Sequence, residues 1–343
     1  MYSNTLRIVT IIFHFIVILK VEAQQAEKDY DFVIAFGSCN KQYEQQPLWD
    51  DIVKQQPDLF IWGGDNIYSD TDDMSKMQAD YQQQKNNPDY RKLLTSTPVI
   101  GVWDDHDYGK NDAGSEWKMK AQSQQLFLDF FDVPNDDERR SRAGTYSAKV
   151  YEIPKGSIKV ILLDTRYFRS PLQKSNDPHK RYEPLKDPEA TVLGKAQWEW
   201  LTKEIENNYS DFIVIVSSIQ FLSSEHGYET WGNFPLEQER LIQLLQKTKA
   251  RNVMILSGDR HISEFSSEKI KGLPYSLIDF TSSGLTHSYT TFSGESNRYR
   301  VGKVITKPSF GVLKFDLDTY EVLMEMRGEG NVLLQEYSKQ YPK

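Results

Sequence analysis

The sequence predicts an α/β protein built as a layered sandwich of mixed β-sheets. Two observations carry that reading. Up to Ser257, continuous apolar runs alternate with stretches of helical period, the pattern of strands covered by helices. Beyond Ser257 the apolar period shifts toward two, the pattern of strands with one covered face.

Each element follows from its residues. "FVIAFGS" (32–38), "DLFIWGG" (58–64), "TPVIGVW" (97–103), "IKVILLD" (158–164), "DFIVIVSS" (211–218) and "NVMILSG" (252–258) are too uniformly apolar to have a wet face, and read as strands buried on both sides. Between them, "PLWDDIVKQQ" (47–56), "EWKMKAQSQQLFLDFF" (116–131), "KAQWEWLTKEIE" (195–206) and "PLEQERLIQLLQK" (235–247) space apolar residues as one helix face. "YSLIDFTSS", "SFGVLKFDLD" and "EVLMEM" then suggest a second, more antiparallel sheet. No internal repeat or Pro/Gly/Ser linker divides the chain, so residues 24–343 read as one domain.

The first residues carry Arg7, an apolar run from Ile8 to Leu19 and the small residues Val21 and Ala23 around Glu22. That run is shorter than the ~20 residues a membrane span needs, so residues 1–23 read as a cleavable signal peptide and the protein as secreted or periplasmic, with no membrane span in its mature form. Cleavage removes two positive charges and one negative, taking the formal charge from −8 to −9. A surface of that sign opposes polyanions, and no stable nucleic-acid complex is expected. The single cysteine, Cys39, has no partner in its own chain, which leaves a buried, intermolecular or metal-bound thiol.

The residues just beyond each apolar run carry the chemistry. Gly37-Ser38-Cys39 comes after the first, Gly63-Gly64-Asp65-Asn66-Ile67-Tyr68 after the second, and Asp104-Asp105-His106-Asp107 with Asn111 and Asp112 after the third. The fourth ends at Asp164-Thr165-Arg166, the fifth leads to Gln220, and the sixth gives Gly258-Asp259-Arg260-His261. Ligands of open α/β sheets bind beyond the carboxyl ends of the strands, so these residues can converge. A lone carboxylate at such a place costs several kcal/mol, roughly, to desolvate, and cations are the usual remedy. The thiol of Cys39, the phenol of Tyr68 and the carboxylates of Asp65 and Asp259 suit a transition metal, iron included, while Asp105 and Asn111 suit a harder ion such as calcium. Asp65 could bridge two ions, a pairing that serves phosphoryl transfer.

The ordered set Gly37-Ser38-Cys39, "GGDNIY", "WDDHDYGKND", "LDTRYFR", "SSIQFL" and "SGDRH" resembles the PhoD-like alkaline phosphatases and phosphodiesterases of the metallophosphoesterase superfamily, from about residue 31 to about residue 325. The resemblance implies a four-layer αββα sandwich, the calcineurin-like fold, with a centre of Fe(3+) and Ca(2+). It further implies hydrolysis of small phosphomonoesters or phosphodiesters by a metal-activated water. Cys39, Asp65, Tyr68 and Asp259 match iron ligands, Asp65 and Asp105 the calcium side, and His261 the last metal-site histidine; Asp104 can exchange roles with Asp105. Two departures stand out. The first core run begins close to the expected cleavage site, without the β-sandwich domain that many members carry in front. Gln220 stands where the wider superfamily places a histidine, and is assigned to substrate binding.

For catalysis, Arg166 is the candidate phosphate contact, because a guanidinium grips phosphate with two donors, and His106 the candidate general acid. Trp198 and Trp200 read as packing and His179 as solvated; His287 and Arg298, in the long polar stretch 282–300, are weaker candidates for substrate contact. The rival class is a secreted metal- or phosphate-binding protein without turnover. A serine esterase is disfavoured, since no G-x-S-x-G elbow occurs.

Overall fold

The computed structural model describes residues 29–343, so the expected signal peptide lies outside the described residues. Its strands are β1 (Phe32–Gly37), β2 (Leu59–Gly63), β3 (Val99–Val102), β4 (Ser147–Ile153), β5 (Gly156–Leu162), β6 (Phe212–Val216), β7 (Val253–Ser257), β8 (Ser263–Glu268), β9 (Leu277–Ser282), β10 (Arg300–Ile305), β11 (Ser309–Asp316), β12 (Glu321–Gly328) and β13 (Val332–Gln340). The helices are α1 (Trp49–Lys54), α2 (Met74–Lys85), α3 (Pro88–Ser96), α4 (Asp105–Tyr108), α5 (Lys120–Phe130), α6 (Gly194–Glu206) and α7 (Pro235–Thr248). None of these helices is long and apolar enough to cross a membrane.

The six apolar runs form β1, β2, β3, β5, β6 and β7. They divide between two mixed sheets, one ordered β13-β12-β11-β1-β2-β3 and the other β10-β8-β9-β7-β6-β5-β4. The strands β1 to β3 run parallel, as do β5, β6, β7 and β9. The period-two segments do not build a separate antiparallel sheet. β9 joins β7 in parallel within one sheet, whereas β11 and β12 complete the other, with β11 antiparallel to β1. Nor is only one face covered, since β9 is buried along its whole length and β11 at all but one position; the sheet a strand joins depends on pairing partners far away in sequence.

Face-to-face packing of the sheets forms the largest core. Phe36 meets Phe280 edge-on at 4.8 Å, and Phe212 meets Phe315 at 5.3 Å. On the outer side of the β1–β3 sheet, Trp49 of α1 and Tyr90 of α3 close over Trp62, with Phe130 of α5 beside them. Trp198 and Leu201 of α6 and Leu241 and Leu245 of α7 belong to the core of the other sheet. The order of layers is therefore αββα. Three helices escaped the sequence pattern: α2 is polar on most of its surface and is started by Asp73, whose carboxylate caps Ser75 and Lys76, α3 is started by Asn87, and α4 is a single turn within the acidic cluster.

The carboxyl ends of β1, β2 and β7 meet at one point, where the two sheets touch. A Cβ on Gly258 would lie 2.4 Å from Ser38 Oγ and 2.8 Å from the carbonyl oxygen of Gly63. The backbone lacing continues from Cys39 N to Gly64 O (3.3 Å), from Asn40 N to Asp65 O (2.9 Å) and from Gly284 N to Ser38 O (3.1 Å). Gly258→Ala should therefore push the sheets apart and cost about 1–3 kcal/mol, as overpacking of a closed site does. Urea denaturation checks this; a variant as stable as the parent would contradict the close approach.

Candidate metal centre and its cavity

Each strand of this junction leaves its sheet through a residue in the left-handed region: Cys39 (φ 59°), Asp65 (φ 50°), Asp259 (φ 66°) and then His261 (φ 54°). Such conformations cost free energy in residues other than glycine, and they persist where the surroundings impose them, often at functional sites. After β3 the chain turns directly into α4, and Asp104 and Asp107 form a capping box that fixes this acidic turn.

The side chains converge. Cys39 Sγ lies 3.3 Å from Asp65 Oδ2, and the same oxygen accepts from the Tyr68 hydroxyl at 3.1 Å. Tyr68 Oη is also 2.9 Å from His261 Nε2. The His106 N–H is shared between Asp65 Oδ1 (3.3 Å) and Asp105 Oδ1 (3.0 Å), and Asp105 Oδ2 accepts from Asp112 N at 2.6 Å. Three sets of donor atoms, each within 4.8 Å, overlap along this line: Cys39 with Asp65 and His261, Asp65 with Asp105 and His106, and Asp104 with Asp105 and Asp259. Asp65 belongs to two of them. Beside them opens a cavity of about 310 Å³, lined by Asp105, His106, Asn111, Asp259 and His261 among others.

Electrostatics shows how strained the cluster is without a counter-charge. Burial raises Asp65 and Asp259 well above the usual carboxylate range, and neighbouring acids add to the rise. Burial likewise pushes the Cys39 thiol up to about 11 and raises Tyr68. Burial alone would raise Asp105 too, but Arg166 and His106 outweigh it and bring it down to about 2. His106 behaves oppositely: burial pulls it down, while Asp65, Asp105 and Asp70 hold it up at about 11, and its Nδ1 lies 2.7 Å from Asp70 Oδ2. Its ring stacks on Tyr68 at 4.1 Å. His261, by contrast, falls to about 4 through burial and stays a neutral donor. The buried Asp104 Oδ2 has no hydrogen-bond partner among the described residues. A thiol, a phenol, a neutral imidazole and several carboxylates with an unsatisfied oxygen form a donor set that fits metal cations.

Two expectations need correction. Arg166 does not reach the cavity: it is wholly buried, its Nε on Asp104 Oδ1 (2.5 Å) and its Nη1 on Glu229 Oε2 (2.7 Å). The sequence places this arginine at a strand end but does not reveal that two buried carboxylates pair with it. Gln220 is also buried and off the cavity, its Nε2 spent on Glu264 Oε1 (2.9 Å) and Thr281 Oγ1 (2.8 Å). Arg298 is exposed and paired with Glu225, and His179 is solvated. His287 comes close instead, its ring 4.4 Å from that of His261 and 5.1 Å from that of Tyr68. The cavity wall also contains Tyr228, Glu229, Arg260, Tyr289 and Arg181, which carried little or no sequence signal. Arg260 alone could have been suspected, from its place between Asp259 and His261.

Two mixed sheets between helical layers, with an acid-rich donor cluster at the strand ends, define a calcineurin-like metallophosphoesterase fold. Solved structures agree. The structure of PhoD superposes with a TM-score of 0.70 at 16% identity, covering 92% of this chain and 69% of that one. A dimetal phosphatase from Danio rerio superposes with a TM-score of 0.51 at 13% identity, covering 92% of this chain and 100% of that one. The chain belongs to the PhoD-like phosphatase family, whose model matches residues 34–297. It is 25% identical over 309 residues to alkaline phosphatase D of Bacillus subtilis (strain 168), a match covering 73% of this chain and 51% of that protein. The chain thus spans about half the length of this curated relative.

Because burial keeps Cys39, Tyr68, Asp65 and Asp259 protonated above their ordinary ranges, a cation that binds their deprotonated forms must expel protons. Titrating metal-free protein with a cation in weak buffer should acidify the solution, and affinity should be higher at about pH 8 than at about pH 6. For the metal-free fold the sign is reversed. Carboxyls raised above 3.8 hold protons that the unfolded chain has released, so stability should fall as pH rises through that interval. Affinity and melting temperature independent of pH would contradict the cluster.

Proposed function

We propose that residues 24–343 form the catalytic domain of an exported phosphoesterase that hydrolyses small phosphomonoesters or phosphodiesters with iron and calcium. The observation that carries this reading is Asp65, whose two oxygens face different donor sets, Oδ2 toward Cys39 and Tyr68 and Oδ1 toward the His106–Asp105 turn. Cys39, Tyr68, Asp259 and His261 would hold the iron, and Asp105 and Asn111 the calcium, with Asp65 shared. Bound there, the cations would lower the pKa of a water toward neutrality and offset charge on the phosphoryl oxygens.

The chain's own residues supply the rest. His106 lines the cavity, its Nδ1 on Asp70 Oδ2 and its ring stacked on Tyr68, an orientation that suits donation to a departing alkoxide. Arg166 acts one step back. By pairing with Asp104 and Glu229 it fixes the acidic turn that bears Asp105 and His106. Family membership and the superposed fold support the reaction class.

Hydrolysis of p-nitrophenyl phosphate and bis-p-nitrophenyl phosphate in the presence of iron and calcium tests the reading. Asp65→Asn should lose metal and activity together, whereas a folded, metal-loaded protein that turns over neither substrate would leave only a binding role. Iron held by Tyr68 and Cys39 should colour the protein, and Tyr68→Phe should shift or remove the band; a colourless, fully active zinc protein would contradict the iron assignment. Arg166→Ala should destabilise the fold by about 3–5 kcal/mol, because it leaves the buried Asp104 without its cation and Glu229 with Arg169 alone. A melting curve like the parent's would contradict the positioning role.

A further inference from the structure

With Arg166 spent on internal acids, the cavity needs another group to receive an anion. Two arginines line it, Arg181 and Arg260. Arg181 is half exposed and its Nη2 is paired with Asp112 Oδ2 at 2.9 Å. Arg260 is different. It is only 8% exposed, and it lies between Asp259 and His261, which line the same cavity. Consecutive residues of an extended strand point to opposite faces. Here the left-handed turns at 259 and 261, tied by Arg260 N to Gly258 O (2.8 Å), let three neighbours share one wall.

The guanidinium is held in place without being used up. Both oxygens of Glu295 accept from Nη2, at 2.7 and 2.9 Å, and the Tyr228 ring lies 4.1 Å beneath the guanidinium carbon. The buried Nε–H has no acceptor among the described residues. A buried cationic donor left unpaired is costly, and an anion that completes it recovers that cost. Stacking and the Glu295 fork fix the plane of the group, so little side-chain freedom is lost when an oxyanion arrives.

We propose that Arg260 is the catalytic residue that binds the phosphoryl oxygens, taking the place the sequence assigned to Arg166. This rests on the reading of the cavity as a phosphoesterase site. Its ligand class is a tetrahedral oxyanion, and its role is to stabilise charge as the phosphoryl group is transferred; no bond to the arginine forms or breaks.

The test combines calorimetry of inorganic phosphate binding with steady-state kinetics on p-nitrophenyl phosphate, using parent, Arg260→Ala, Arg260→Lys and Glu295→Gln proteins whose metal content has been measured. Arg260→Ala should keep its metals, bind phosphate at least about tenfold more weakly and lose on the order of 10²-fold in kcat/KM. Arg260→Lys guards against a folding defect: it keeps charge and stem, and should recover part of the phosphate affinity but not the full rate, because an ammonium lacks the planar fork. Glu295→Gln should weaken phosphate binding less than Arg260→Ala does. Phosphate affinity and kcat/KM within about twofold of the parent in Arg260→Ala, folded and metal-loaded, would overturn the proposal while leaving the phosphoesterase reading intact. A parent that neither binds phosphate nor turns over would overturn that reading, and this one with it.

Discussion

The burial of several carboxylates at the junction of the two sheets is the constraint on which the rest of the structure depends. Asp65, Asp104, Asp105 and Asp259 are carried to one place by the ends of different strands, and there they are shielded from water. A desolvated carboxylate must be paired, protonated or bound to a cation. The fold applies the first remedy only in part. Arg166 pairs with Asp104, and the imidazolium of His106 faces Asp65 and Asp105, yet Asp65 and Asp259 remain pushed toward protonation.

That partial compensation divides the site into two tiers. At the base of the cavity wall, Arg166 and Arg169 both reach Glu229, at 2.7 and 2.9 Å, in a buried charge network. Above it, the cavity-lining Arg260 keeps an unpartnered Nε. The lower tier sets positions; the upper tier is left for ligands. The left-handed turns at Cys39, Asp65, Asp259 and His261 belong to the same logic, since they aim short side chains inward from strands that would otherwise carry them past the site.

Much of this was legible in the sequence because it is local. Uniform apolar runs marked the parallel strands, and the residues immediately after them marked the cluster, since strand ends project toward a common crevice in any such sheet. Sheet membership was not legible: β9 and β11 share a period of two yet join different sheets, a choice made by pairing partners such as β1 for β11. Nor were the roles of Arg166 and Arg260. Both follow strands and both are arginines, and only the approach of Glu229 and Asp104 to one, and of Glu295 and Tyr228 to the other, separates them. Such distinctions arise from residues tens of positions apart, which no spacing rule records.

Cations are proposed to complete the charge balance of this junction, and the effect of removing metal on stability tests that claim most directly. Metal bound only by the native state stabilises it by mass action. Protein purified in the presence of iron and calcium should therefore contain stoichiometric cation by emission spectrometry, and its melting temperature should fall on verified chelation and recover when metal is restored. An unchanged melting curve after complete metal loss would contradict the account, because the acids would then be balanced by the chain alone.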